Sequence, residues 1–210
     1  MTPATKTVRS IVFVVDDDPS VRDAIRRLLG TVGLPVKAFG SASEFLAGDA
    51  PEIPSCLVLD VRLPGISGID FQRELNKANI RIPIIFITAH GDVPMSVKAM
   101  KAGAVEFLIK PFHDQDLLDA VQMALEKDRV RRLAEAEITE LQRRLRTLTP
   151  REREVLPLVI SGRLNKQIAA EMNASEATVK VHRSQLMRKL QAKSVPDLVR
   201  MAEKLGISAS

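Results

Sequence analysis

The feature that most constrains the fold is a run of four apolar residues, 56–59, that leads directly into Asp60. The chain then breaks at Pro64, Gly65 and Gly68, so we expect Asp60 where a buried strand opens into a loop. Open α/β sheets carry their chemistry at such strand ends. This segment therefore predicts a functional carboxylate at Asp60.

The first 125 residues alternate between strand-like and helix-like patterns. Strand-sized apolar runs occur at residues 11–15, 36–39, 56–59, 84–87 and 106–109, and helical spacing separates them. This alternation predicts an α/β domain over residues 1–125, with a doubly wound, five-stranded parallel sheet and right-handed crossovers.

Five polar residues follow the ends of four of these strands: Asp16 and Asp17, then Asp60, Thr88 and Lys110. Because the carboxyl ends of parallel strands share one edge of a sheet, we expect these side chains to converge there. Carboxylates this close repel one another, and the repulsion is relieved by a raised pKa or by a bound cation. Oxygen ligands without His or Cys nearby favour Mg²⁺.

This cluster predicts phosphoryl transfer. A carboxylate beside Mg²⁺ can attack a phosphoryl group and form an acyl phosphate. Lys110 would neutralise the incoming oxygens, and the Thr88 hydroxyl would hydrogen-bond the product. We therefore expect Asp60 to be the phosphoryl acceptor, whereas Asp18 is expected to cap the following helix.

The charge is distributed unevenly along the 210 residues. Residues 1–125 hold 13 Lys and Arg against 15 Asp and Glu, whereas residues 126–210 hold 18 against 11. An acidic domain joined to a basic one suggests that the second half meets a polyanion. The absence of Trp and Tyr argues against single-strand binding by base stacking.

The composition also predicts the compartment. The longest apolar runs are far shorter than the roughly 20 residues of a membrane span, and residues 1–10 contain no stretch that would serve as a signal peptide. The single cysteine, Cys56, cannot form an internal disulfide. We expect a cytoplasmic protein with no membrane partner.

Residues 126–146 are predicted to form a helical linker, because no Gly or Pro occurs between residues 114 and 149. We expect the charge run after residue 126 to be a solvated face. A narrow apolar stripe of about two heptads favours pairing in a dimer over a lone strut. It consists of Ala134, Ile138, Leu141, Leu145 and Leu148.

Residues 147–210 are predicted to form a small all-α domain of four helices. Thr149, Pro150 and Glu152 are typical of a helix start, Asn165 and Ser175 are expected to cap the next two helices, and a fourth helix is expected after Ser194. Two helices joined by a short turn at residues 173–175, in a basic unit, indicate helix-turn-helix binding to double-stranded DNA.

The third of these helices is the predicted recognition helix. Its apolar residues Val179, Leu186 and Leu190 share one side and are expected to face the core. We expect base contacts in the major groove from Lys180, Val181 and Ser184. Phosphate contacts are expected from four basic residues: Lys166, Arg183, Arg188 and Lys189.

Residues 8–125 resemble the receiver domain of two-component response regulators, a flavodoxin-like fold. The resemblance is carried by the segments Val15-Asp16-Asp17, Leu59-Asp60, Thr88-Ala89 and Lys110-Pro111, and by the Pro-Gly loop after Asp60. It implies that Asp60 accepts phosphate from a sensor histidine kinase. It also implies that Asp17, Asp60 and the backbone carbonyl of Arg62 ligate Mg²⁺, with Asp16 acting through water.

The same resemblance implies a switch. Thr88 and Phe107 would be the pair that responds to phosphorylation, and the Lys110-Pro111 peptide bond would be cis. The face formed by the fourth helix, the fifth strand and the fifth helix would then change shape and favour a homodimer.

Residues 145–210 resemble the LuxR-type helix-turn-helix domain. The carrying segments are residues 148–152, 165–169 and 178–183, together with Gly162. The two halves together are similar to response regulators of the LuxR/FixJ kind, which implies a phosphorylation-dependent transcriptional regulator that is not an enzyme. RNA polymerase is a further candidate partner. Some relatives carry a basic residue at the position of Ser184, so the base preference stays open.

Two other functions remain open at this point. Asp16, Asp18 and Ser20 faintly resemble the start of haloacid-dehalogenase-type hydrolases, which would make the chain a Mg²⁺-dependent phosphatase that works through an aspartyl phosphate. A DNA-binding dimer that ignores phosphorylation is the other alternative.

Overall fold

The structure of the protein is a computed structural model. It describes residues 10–48, 52–89 and 93–208. The N-terminal residues 1–9, where no signal peptide was expected, lie outside this range. The chain divides into two compact units, Met1–Arg132 and Leu133–Ser210.

The first unit contains the predicted five-stranded parallel sheet. The strands are β1 (Ile11–Val15), β2 (Val36–Phe39), β3 (Ser55–Asp60), β4 (Ile84–Thr88) and β5 (Glu106–Ile109). Their order in the sheet is β2-β1-β3-β4-β5, and every neighbouring pair is parallel. The predicted fold is confirmed, and Asp60 is the last residue of the central strand.

Helices cover both faces of this sheet. They are α1 (Pro19–Thr31), α2 (Ala42–Leu46), α3 (Gly68–Lys77), α4 (Val93–Lys101) and α5 (Asp114–Arg146). Because side chains alternate along a strand, Val12 and Val14 pack with α1 and α5, whereas Phe13 and Val15 pack on the opposite face with α2 and α3. The two apolar layers fix the register and hold the strand ends at one edge.

The loop after β1 ends in a helix cap. The side chain of Asp18 accepts a hydrogen bond from the backbone N–H of Ser20 at 2.8 Å, at the N-terminus of α1. Pro19 follows as the first helical residue, where its missing N–H costs nothing. The predicted capping role of Asp18 is confirmed.

The charge run after residue 126 is not wholly solvated, and that prediction is wrong for Asp128. Its side chain is fully buried and binds the guanidinium groups of Arg131 and Arg132 and the backbone N–H of Ser55. A buried carboxylate is tolerated when charged donors surround it, which a charge pattern alone does not reveal. The helix that carries it, α5, continues without a break into the predicted linker.

The second unit has the four predicted helices: α6 (Pro150–Ile160), α7 (Asn165–Glu171), α8 (Glu176–Leu190) and α9 (Val195–Lys204). Their core includes Val155, Ile168, Val179 and Leu186. None of the helices in the described part of the chain has the length and apolar character needed to cross a lipid bilayer.

The linker stripe is partly used within one chain. Leu141 and Leu148 are buried, and Leu145 packs on the core of the second unit. Lys204 of α9 also forms an ion pair with Glu137 of α5 at 2.5 Å. Leu145 and Leu148 therefore pack within the second unit, and pairing of the linker with a second copy stays a prediction.

The predicted caps of the second unit are confirmed except at Asn165. Thr149 and Glu152 form a complete capping box, and Ser175 accepts a hydrogen bond at the start of α8. Ser194, for which no cap was predicted, accepts one at the start of α9. Asn165 instead lies inside α7 as its first residue, and Gln167 accepts a hydrogen bond from the backbone of Leu164.

Candidate functional site

Three carboxylates converge at the carboxyl edge of the sheet. One oxygen from each of Asp16, Asp17 and Asp60 lies within 4.8 Å of the others. The convergence follows from the register, because Val15 of β1 lies beside Leu59 of β3 and the acidic residues come next on both strands. Asp16 is fully buried and Asp60 nearly so, whereas Asp17 is exposed.

Lys110 joins two of these acids. Its Nζ atom lies 2.7 Å from Oδ2 of Asp16 and 2.9 Å from Oδ2 of Asp60. Burial works against the charged ammonium, but the hydrogen bonds to Asp16 and Asp60 outweigh it and raise the pKa of Lys110 above its usual 10.5. Burial raises the pKa of the Asp16 carboxyl above 3.8, and the hydrogen bond from Lys110 offsets this only in part.

The loop after β3 holds Asp60 from the other side. The backbone N–H of Arg62 donates a hydrogen bond to Oδ1 of Asp60 at 2.9 Å. The first residue of α3, Gly68, lies so close to the strand end that an added Cβ would stand 2.4 Å from the backbone oxygen of Asp60. The sequence indicated Gly68 only as an interruption of regular secondary structure. Its close approach to the backbone of Asp60 becomes evident only in the folded loop.

Thr88 and Phe107 occupy the neighbouring strands. Thr88 is fully buried at the end of β4, and its backbone oxygen accepts a hydrogen bond from the backbone N–H of Lys110 at 2.8 Å. Phe107 is half-buried and lies opposite Phe86, with 6.3 Å between the ring centroids. The Lys110-Pro111 bond is cis, as the receiver resemblance implied.

Sequence reasoning missed Arg22. This residue lies in the first turns of α1, and its Nη1 atom donates hydrogen bonds to the backbone oxygens of Asp16 and Asp17. An arginine five residues after an acidic pair can reach back over the loop, so the signal was present in the spacing. The contact itself becomes evident only in the folded structure, where the loop and α1 lie next to each other.

The donor set fits a hard cation. Three carboxylates offer oxygen atoms within 4.8 Å of one another. Mg²⁺ prefers such oxygen donors and usually keeps several water ligands. The exposure of Asp17 leaves room for such waters on one side of the cluster.

The predicted recognition helix, α8, has the buried and exposed sides that the sequence predicted. Val179, Leu186 and Leu190 are buried. Four residues on the other side are exposed: Lys180, Val181, Ser184 and Arg188. The exposed side chains offer cationic, hydroxyl and methyl groups of the kinds that contact phosphates and base edges.

The other expected phosphate contacts differ from one another. Lys166 is exposed. Arg183 donates a hydrogen bond to the side chain of Asn165 at 3.0 Å and so ties α8 to α7. The expected phosphate role of Lys189 does not agree with its position, because its ammonium binds the buried Glu152 at 2.6 Å and the backbone oxygen of Thr147.

Two family models match the chain. The model described as "Response regulator receiver domain" matches residues 12–122. The model described as "Bacterial regulatory proteins, luxR family" matches residues 146–202. The first match contains all three carboxylates and Lys110, and the second contains the whole of α8.

Individual proteins are similar along nearly the whole chain. Nodulation protein W of Bradyrhizobium diazoefficiens is 56% identical over 97% of this chain and 90% of its own length. Transcriptional regulatory protein FixJ of Rhizobium meliloti is 44% identical over 95% of this chain and 98% of its own. The solved structure of the response regulator StyR is 51% identical, has a TM-score of 0.85, and covers 93% of this chain and 99% of its own.

Proposed function

Because this chain belongs to the two-component response regulators that join a receiver domain to a LuxR-type DNA-binding domain, we propose that Asp60 accepts a phosphoryl group from a sensor histidine kinase and thereby controls binding to double-stranded DNA. Its relatives include the transcriptional regulatory protein FixJ and the response regulator StyR.

The observation that carries the proposal is the bridge from Lys110 to both Asp16 and Asp60. It leaves Asp60 at the centre of the cluster, with one oxygen on Lys110 and the other on the backbone of Arg62. Asp16 is completely buried, so it is poorly placed to meet an incoming phosphoryl group. Asp60 is therefore the best-supported acceptor.

We assign Asp16, Asp17, Asp60 and the backbone carbonyl of Arg62 to hold Mg²⁺. When bound, the ion would offset the negative charge of the phosphoryl oxygens. Lys110 would neutralise one of these oxygens from within the protein, and the Thr88 hydroxyl would donate a hydrogen bond to the product.

The response would pass through Thr88 and Phe107. Movement of Thr88 toward the phosphoryl group would free the space that Phe107 needs to turn inward, and the reshaped face of α4, β5 and α5 would favour a homodimer. Two recognition helices related by a two-fold axis fit half-sites one helical turn apart on DNA. A regulator that meets promoter DNA would work in the cytoplasm, with RNA polymerase as a candidate partner.

The DNA interface is assigned to the exposed side of α8 and to α7. We assign base contacts to Lys180, Val181 and Ser184. We assign phosphate contacts to Lys166, Arg183 and Arg188. We also assign residues 1–125 to the receiver, 126–146 to a helical linker and 147–210 to the DNA-binding domain.

The test uses the full chain with acetyl phosphate as donor and beryllofluoride as a phosphoryl mimic. Wild type should be labelled, form a dimer on gel filtration and bind promoter DNA more tightly. Asp60→Asn should abolish all three responses. The matched control is Asp23→Asn, because Asp23 is an exposed residue of α1, outside the face expected to form the dimer.

The same experiment separates the alternatives. Labelling and dimerisation that persist in Asp60→Asn would contradict the assignment of Asp60. DNA affinity that acetyl phosphate and beryllofluoride leave unchanged would indicate a phosphorylation-independent dimer. Turnover of a small phosphoester that survives Asp60→Ala and disappears in Asp16→Ala would indicate a phosphatase, a role that the burial of Asp16 disfavours.

A further inference from the structure

We propose that Arg22 is a positioning residue for the metal site formed by Asp16, Asp17 and Asp60. It holds the backbone of the acidic loop, residues 16–18, and thereby sets the direction of the Asp17 carboxylate. The inference rests on the proposed function, because it assumes that the three carboxylates hold a cation. It assigns a role to a side chain outside the acids, the hydroxyl and the lysine.

Arg22 binds the acidic loop at two consecutive carbonyl groups. Its Nη1 atom lies 2.7 Å from the backbone oxygen of Asp16 and 3.0 Å from that of Asp17. Hydrogen bonds from a charged donor are stronger than those between neutral groups. One guanidinium nitrogen therefore fixes two successive peptide planes of the loop.

Asp17 depends on this restraint more than the other two acids do. The carboxylate of Asp16 is held by Lys110 and by the backbone N–H of Asp18. That of Asp60 is held by Lys110 and by the backbone of Arg62. Among the described residues, no group donates a hydrogen bond to the exposed carboxylate of Asp17, so its direction is set by the backbone from which it extends.

The next arginine of the helix has a different environment. Arg26 forms an ion pair with Asp23 on the exposed side of α1, and both side chains are about half exposed. It has the same charge and belongs to the same helix, but it contacts neither Asp16 nor Asp17 in the described structure. Arg26 is therefore a matched control for Arg22.

Removing Arg22 should weaken the metal site without removing a ligand. Groups that orient metal ligands typically change metal affinity by roughly 10–100-fold when they are mutated. We expect Arg22→Ala to weaken Mg²⁺ binding within that range. Arg22→Lys keeps the charge and one possible donor, so its affinity should fall between those of Arg22→Ala and wild type.

The test is isothermal titration of Mg²⁺ into the full chain without any phosphoryl donor, with thermal unfolding in EDTA measured in parallel. Weaker binding in Arg22→Ala, partial recovery in Arg22→Lys and unchanged binding in Arg26→Ala would support the proposal. Labelling by acetyl phosphate at saturating Mg²⁺ should then approach the wild-type extent, because every ligand is still present.

Wild-type Mg²⁺ affinity in Arg22→Ala would overturn the proposal. The proposal would also be overturned if Arg22→Lys lost as much Mg²⁺ affinity as Arg22→Ala and if both variants unfolded at a similarly lowered temperature. That result would indicate a general structural role for Arg22. If Arg22→Ala does not fold, Arg22→Gln, which keeps a donor without the charge, takes its place under the same criteria. Failure of Asp60 labelling in wild type would contradict the proposed function instead, and the titration would still report on Arg22.

Discussion

The carboxylate of Asp128 accepts a hydrogen bond from the backbone N–H of Ser55 at 2.9 Å, although the two residues are 73 positions apart. Ser55 begins the strand that ends at Asp60. Arg132 donates a second hydrogen bond to the same carboxylate at 2.6 Å. This contact links β3 to α5 at the edge of the sheet opposite the three carboxylates of Asp16, Asp17 and Asp60.

Asp128→Ala should destabilise the first unit and expose Cys56. The substitution removes the acceptor of a buried backbone amide and the partner of two guanidinium groups, which should lower the free energy of unfolding by about 3 kcal/mol. Burial, aided by the charge of Asp128, raises the pKa of the Cys56 thiol to about 12 and makes it unreactive in the wild type. Urea unfolding and the rate of thiol labelling would measure both effects.

The control for this change is Glu126→Ala. Glu126 lies on the same helix and pairs with Arg129 on the exposed surface. Its removal should leave the free energy of unfolding and the labelling rate of Cys56 close to wild type. Equal labelling rates in Asp128→Ala and wild type would contradict the role assigned to the buried carboxylate.

Gly68→Ala should disturb the proposed phosphoacceptor, Asp60, directly. The added Cβ would collide with the backbone oxygen of Asp60, so the loop or the strand end must shift, at a cost of about 2 kcal/mol. Labelling of Asp60 by acetyl phosphate should fall along with the thermal stability. Gly30→Ala is the control, because its added Cβ would meet no atom within 4 Å apart from its chain neighbours and the adjacent backbone of its own helix, and it should retain wild-type labelling.

Glu152→Gln should lower the stability of the second unit and make that stability less sensitive to acidic pH. Burial favours the protonated carboxyl, but the ammonium of Lys189 and the backbone N–H of Thr149 outweigh it and hold the pKa of Glu152 below its usual 4.5. Loss of this charged hydrogen-bond acceptor should cost about 2 kcal/mol near neutral pH.

The sign of the pH effect follows from the lowered pKa. The charged Glu152 stabilises the folded state above its unfolded pKa, near 4.5, and this contribution is lost as the pH falls through the lower folded-state value. The difference in free energy of unfolding between wild type and Glu152→Gln should therefore shrink in acid. Urea unfolding at a series of pH values would measure it, and a constant difference would refute the assignment.

Lys180→Ala should weaken specific DNA binding more than nonspecific binding. A side chain that reads a base edge contributes about 1–3 kcal/mol of discrimination. Lys166→Ala, at a proposed phosphate contact, should weaken both kinds of binding and reduce the slope of log affinity against log salt by about 0.9. Lys193→Ala, an exposed residue of the turn before α9, is the control in fluorescence-anisotropy titrations. If Lys180→Ala lowered the affinity for specific and nonspecific DNA equally, Lys180 would not be a base contact.

The apolar runs and the polar residues that follow them were sufficient to predict the sheet and the acidic edge. Strand-sized runs ending at Asp16, Asp60 and Thr88 leave few other arrangements, since parallel strands bring these ends together. The predicted inward side of α8 was likewise confirmed by Val179 and Leu186, because helical periodicity alone fixes which side is apolar.

The missed features depend on contacts between residues distant in sequence or in separate elements. Asp128 lies in a charge run whose composition is that of a solvated surface, and only its distance to Ser55 reveals the buried bond. The positive charge of Lys189 suggested a phosphate contact, but its ammonium group is paired with Glu152, 37 positions earlier in the chain. Local patterns record the types of groups that are present and do not record which of them are already paired.

The exposure of Asp17 beside the buried Asp16 has a consequence for timing. A cation held by these acids would have one side open to solvent, so it could enter and leave without any opening of the fold. Its exchange would then be limited by the loss of its own water molecules, and occupancy would follow the free Mg²⁺ concentration. Phosphorylation would therefore start from a population of metal-loaded molecules that re-equilibrates continuously with the surrounding medium.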